Sequence, residues 1–172
     1  MALSIVGAPP DFLARPGDSL PISYYHSPGL STCALTVLAC YRLAGCTEPE
    51  VAGSYRIGSA FAAIEGLAQR SGAWYAGSPR GPLLAGDAFM LTDAAGGDGH
   101  VGLVVVDQAA LTDPLQTVEG GQGTGAEVGA FTRALRWSGG RYWMGQRVIW
   151  GVVRAHSLPI PDDAADVEQP RL

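Results

Sequence analysis

Residues 33–44 constrain this chain more than any other stretch. Ala34, Leu35, Val37, Leu38, Tyr41 and Leu43 follow one another so closely that a helix built from them has almost no polar face. Such a helix must be covered on every side, so the rest of the chain has to wrap it. Ser31 or Thr32 supplies an N-cap and Gly45 a stop, which predicts a helix over residues 33–44. Phe61, Ile64, Leu67 and Ala68 recur at helical spacing ahead of Gly72 and predict a second helix over residues 59–70.

The covering layer is written in a different pattern. Residues 89–91, 101–106, 115–118, 131–137 and 147–153 are short runs rich in β-formers, separated by Gly, Asp and Pro clusters. Helices followed by strands give an α+β domain whose N-terminal helices pack on a mainly antiparallel sheet, expected to have five or six strands. One domain over residues 1–156, with its core at about 20–156, is expected. Residues 1–30 are rich in Pro and Gly and read as an extended lead-in, while residues 157–172 have the composition of a flexible tail.

Composition removes several function classes. A net charge of −5 argues against nucleic-acid binding, which depends on cations meeting phosphates. No apolar run approaches the roughly 20 residues of a membrane span, and residues 1–6 lack the basic start of a cleavable signal. All 11 basic residues are Arg, and the chain has neither Lys nor Asn. Schiff-base and Walker lysines are therefore excluded, as is a Cys-His-Asn triad. Three cysteines and three histidines show no zinc spacing, so neither a metal nor a cofactor is expected. Cys40 falls on the same helix face as Cys33 and reads as a small core residue; a disulfide between Cys40 and Cys46 stays open.

Cys33 stands where a loop becomes a helix, and His100 opens the apolar run of residues 101–106. A thiol at a helix N-terminus feels unpaired N–H groups, which favour the thiolate. Cys33 and His100 thus fit a nucleophile and its base, although a core cysteine and a satisfied surface histidine fit the same residues. Residues 107–114 are short enough for a hairpin loop between residues 101–106 and 115–119. Pairing Val106 near Pro114 brings His100 beside Glu119, the candidate orienter. A slip of two residues would shift that role to Thr117 or Gly121, with Gln122 the next polar group. Asp107 and Asp113 lie at the far end of the hairpin. Tyr25, Gln122 and Arg133 are the candidate substrate contacts: a hydroxyl near the oxyanion, a polar group at the cleft edge, and a cation for a substrate carboxylate. Arg133 belongs to a group with Arg136, Arg141, Arg147 and Arg154 that also fits plain solvated strand faces.

These motifs, in this order, resemble the CHAP family, the cysteine, histidine-dependent amidohydrolases/peptidases of the papain-like superfamily that cut bacterial cell-wall peptides. The matching residues are Cys33-Ala34, Ala44-Gly45, Gly86-Asp87, Gly99-His100-Val101-Gly102, Glu119-Gly120 and the closing strand at 148–154. Thr32 stands where an aromatic residue is frequent, and Gly121 where Asn is frequent.

The resemblance implies a papain-like fold and a Cys33-His100-Glu119 site that hydrolyses amide bonds in peptidoglycan stem peptides. It further suggests a monomer, cytoplasmic in its producer and delivered to a target periplasm or cell wall as an antibacterial effector, or acting as a phage lysin. A cognate immunity protein would be an effector's partner. The alternatives are a cysteine protease or deamidase toxin acting on a host protein, and an inactive module that binds murein or a partner.

Overall fold

The computed structural model describes residues 32–46, 60–96, 99–121 and 128–160. Among them, two helices, α1 (Cys33–Leu43) and α2 (Ala60–Arg70), precede eight strands. These are β1 (Trp74–Ala76), β2 (Ala88–Thr92), β3 (His100–Val104), β4 (Leu115–Gly120), β5 (Val128–Arg133), β6 (Leu135–Ser138), β7 (Arg141–Met144) and β8 (Arg147–Val153). All the pairings are antiparallel, in the order β5-β4-β3-β2-β8-β7-β6, and β1 joins the edge of β8. The α+β class holds, but the sheet is larger than the five or six strands expected. β1 and β7 escaped the pattern, and the run at 131–137 is two strands parted at Ala134.

Both helices stop for the same physical reason. At the end of α1 the Cys46 N–H bonds Tyr41 O and the Gly45 N–H bonds Arg42 O, with Gly45 at φ 84°. At the end of α2 the Ala73 N–H bonds Ala68 O and the Gly72 N–H bonds Gln69 O, with Gly72 at φ 69°. Each is a Schellman closure whose left-handed residue is cheap only as glycine.

Side chains alternate between the sheet faces, and the two faces meet different partners. Ala88, Met90, Val101, Leu103, Val118 and Val128 pack with Val37, Leu38 and Tyr41 of α1 and with Ile64 and Leu67 of α2. Phe89, Leu91, Val104, Leu115, Ile149 and Val152 close a second cluster on the opposite face. β2 and β3 are therefore buried throughout. The curl comes with a bulge between β2 and β8, where Met90 pairs with Gly151 but Leu91 with Ile149, leaving Trp150 as the extra residue.

The folded part runs past the boundary expected at residue 156. Leu158 is buried and Ile160 packs against the helix-side core, beyond a 3-10 turn at Ala155–Ser157. The lead-in at 1–30 and the tail from 161 onward lie outside the described residues. Among the described residues, no helix is long and apolar enough to cross a membrane.

Candidate active site

Cys33 is the first residue of α1 and Thr32 its N-cap, without a side-chain hydrogen bond to the helix amides. The cap is set instead by the backbone and by Thr36, whose N–H and Oγ1 both donate to Thr32 O, at 2.9 and 3.0 Å. The first turn holds no acidic residue to oppose the positive end of the helix dipole. The end of β4 lies against this turn. A Cβ on Gly120 would collide with Thr36 Oγ1 and would sit 2.7 Å from Thr32 Oγ1, so only glycine lets helix and strand approach this closely.

His100, first residue of β3, is 3% exposed, and its ring hydrogen-bonds with Cys33. Its Nε2 lies 2.8 Å from Glu119 Oε2, which leaves Nδ1 as the ring nitrogen for the sulfur. Glu119 is 0% exposed. It accepts from Thr117 Oγ1 at 2.6 Å and from Arg133 through Nε and a terminal nitrogen, each at 2.8 Å.

The strand register corrects the expected geometry by two residues, which keeps the same face. Leu103 pairs with Val118 and Val104 with Thr117, so the ladder extended along β3 sets Glu119 opposite Gly102 and Gly121 opposite His100. Glu119 therefore meets His100 diagonally, not directly. A Cβ on Gly102 would sit 2.7 Å from Glu119 Cγ and would collide with Phe89. The missing side chain at Gly102 is what lets the long glutamate lean across to the imidazole.

The charges follow from these contacts. Burial alone would raise the Glu119 pKa, but hydrogen bonds from His100, Arg133 and Thr117 outweigh it and bring the carboxyl down to about 2. Burial likewise pushes His100 down, and its hydrogen bonds to Cys33 and Glu119, with their charges, turn the net shift upward. The imidazolium is thus favoured between two acceptors. The Glu119 hydrogen bonds raise the Arg133 guanidinium further.

Of the candidate residues, the structure brings together Cys33, His100 and Glu119. Arg133 joins them as the partner of Glu119, a role its expected place as a substrate contact did not anticipate. Thr117, named only as a fallback orienter, holds the carboxylate instead; its place two residues before Glu119 on one strand face was the available signal. Tyr25 and Gln122 lie outside the described residues. A pocket of about 440 Å³ opens beside the site, lined by His100, Glu119, Thr132, Arg133, Gln146 and Arg147. Arg136 lies over the Trp143 ring and Arg154 binds Asp87 at 2.6 Å, so the arginine group divides among separate tasks.

None of the three cysteines is in a disulfide, so the open question of a Cys40–Cys46 bridge resolves against it. Asp107 accepts from the Ala85 N–H and Asp113 from the Ala110 N–H, both at the far end of the hairpin. Among the described residues, no group of three or more His, Cys, Asp and Glu could hold a metal ion. No protein-family model matches the chain, and no curated protein matches it significantly.

Proposed function

We propose that this protein is a thiol hydrolase that cleaves amide bonds in peptidoglycan stem peptides. The observation that carries the chemistry is the chain of hydrogen bonds from Cys33 at a helix start, through buried His100, to an ionised Glu119. A thiol beside an imidazole that is itself held by a carboxylate is the arrangement that activates a sulfur nucleophile. The substrate rests on the motif resemblance, since stem peptides are what that family cuts.

His100 Nδ1 takes the Cys33 proton, and the thiolate adds to the substrate carbonyl carbon. The carbonyl oxygen becomes an oxyanion that the Cys33 backbone N–H, at the first turn of α1, stabilises. The imidazolium gives its proton to the departing nitrogen as the C–N bond breaks, leaving an acyl thioester on Cys33. Water then loses a proton to His100 and adds to the thioester carbonyl; the C–S bond breaks, the carboxylic acid leaves, and the Cys33 sulfur takes back the proton from His100. Glu119 keeps Nε2 engaged throughout, so Nδ1 stays aimed at the sulfur. On this reading the enzyme works in a target periplasm or cell wall, and a producer that makes it as an effector needs an immunity protein.

The test is digestion of purified peptidoglycan by the wild type and by Cys33→Ala, with products read by mass spectrometry. New muropeptides from the wild type alone are expected. Absence of any wild-type product would overturn the substrate, and equal products from both proteins would overturn the nucleophile.

A further inference from the structure

The Glu119 carboxylate is held by four hydrogen bonds, and two of them come from one guanidinium. Arg133 donates Nε to Oε1 and a terminal nitrogen to Oε2, the bidentate fork that fixes a carboxylate in plane as well as in place. The fork is itself built. Gly129, Phe131 and Arg133 alternate along β5 and share a face, and Gly129 pairs opposite Glu119. A Cβ at Gly129 would sit 2.8 Å from the Phe131 ring, so glycine makes room for that ring. The ring in turn supports the Arg133 guanidinium at 4.4 Å from its centroid. Arg133 pairs with Leu115 and reaches back along the strand, past Phe131, to the carboxylate.

We propose that Arg133, carried on the Gly129-Phe131-Arg133 stack, is a positioning residue that locks the Glu119 carboxylate so that the His100 ring stays aimed at Cys33. The proposal rests on the hydrolase reading of that site. Glutamate has one more side-chain torsion than aspartate, so a diagonal reach across Gly102 needs something to hold the carboxylate at its far end. The fork supplies that hold. It also keeps a fully buried carboxyl ionised, because an opposite charge in contact lowers a carboxyl pKa. The charged or titratable groups around Glu119 are His100 from β3, Arg133 from β5 and Arg147 from β8 across the pocket, with Cys33 acting through His100.

Arg133→Met and Arg133→Lys in the full chain test this, with two readouts. One is kcat and KM on peptidoglycan peptides against pH. The other is the rate of Cys33 alkylation by iodoacetamide against pH, which needs no substrate. Arg133→Met is expected to lower kcat about tenfold or more with KM changed less than about twofold. Its acid limb in both profiles should move up by about one pH unit or more as Glu119 takes a proton sooner. Arg133→Lys should restore the limb but not the full kcat, since an ammonium supplies charge without the fork. A rise in KM at unchanged kcat would overturn the proposal in favour of a substrate contact. An unmoved alkylation profile in a folded Arg133→Met protein would overturn it outright. Should Arg133→Met not fold, a Lys variant with wild-type kcat would do the same. If the wild type leaves peptidoglycan intact, the alkylation limb still decides the role of Arg133, and only the substrate reading fails.

Discussion

The two ends of α1 hold equally buried thiols in opposite chemical settings. Cys33 is 4% exposed and Cys40 5%, two turns apart on the same helix. Cys40 sits where burial, the dominant influence, pushes its thiol up to about 12. Cys33 is as dry, yet it meets an imidazole backed by a carboxylate. Equal burial therefore leaves the two thiols in different surroundings, and on the proposed function it is the polar groups brought to Cys33 that make it the reactive one.

The largest test of that contrast exchanges the sulfurs one at a time. Cys33→Ala should reduce hydrolysis by about 10⁴-fold or more, as loss of a nucleophile does in comparable triads. Cys40→Ala should leave turnover intact and cost about 1 kcal/mol in a urea melt. Comparable activity loss in the two variants would erase the distinction between the ends of α1. Next in size, Glu119→Gln should lower kcat by about 10²-fold to 10⁴-fold and destabilise the fold by about 3 kcal/mol, because a buried ion pair loses one partner. Steady-state kinetics and chemical denaturation read the two losses separately.

Gly120→Ala attacks the seam between β4 and the first turn of α1, at a cost of about 1–3 kcal/mol for the overpacked contact with Thr36. It should slow Cys33 alkylation and leave Cys40 inert, and an unchanged Cys33 rate would remove the seam from the argument. The smallest effect is on stability against pH. Glu119 falls from its ordinary 4.5 to about 2, so its contribution is present above pH 4.5 and fades as pH drops from there toward 2. His100 shifts upward from 6.5, so its contribution is complete below that value and is lost as pH rises through the folded value. Denaturation midpoints of the wild type should therefore fall in the acid window, and the fall should shrink in Glu119→Gln. An equal fall in both would assign it to other carboxyls.

Much of this site was legible in the residues. An apolar run with a glycine stop gives α1, and the lack of Asn leaves Asp, Glu, Gln or a backbone carbonyl as the candidates to orient His100. The hairpin arithmetic came within two residues of the true ladder, and the face was right because side chains on one face repeat every second residue. What stayed hidden was the diagonal reach across Gly102, since a missing side chain leaves no signal of the space it makes. Arg133 reads as a substrate contact because it belongs to an arginine group that could meet substrate carboxylates, and nothing in the spacing tells that its side chain, from a position paired with Leu115, runs back to Glu119. β1 has three residues and β7 four, too short for periodicity to register. Both exist because β8, at seven residues, is long enough to pair along its edge with each in turn.

Glu119 and Gly120 are consecutive, and they serve opposite halves of the proposed site. One holds the His100 imidazole, and the other seats the helix that carries Cys33. Any displacement of β4 is therefore common to both and largely cancels in the distance between sulfur and imidazole. Cys33, through Gly120, and His100, through Glu119, are thus both referenced to the same end of β4. Changes that move β3 and β4 relative to each other are the ones that should open the site.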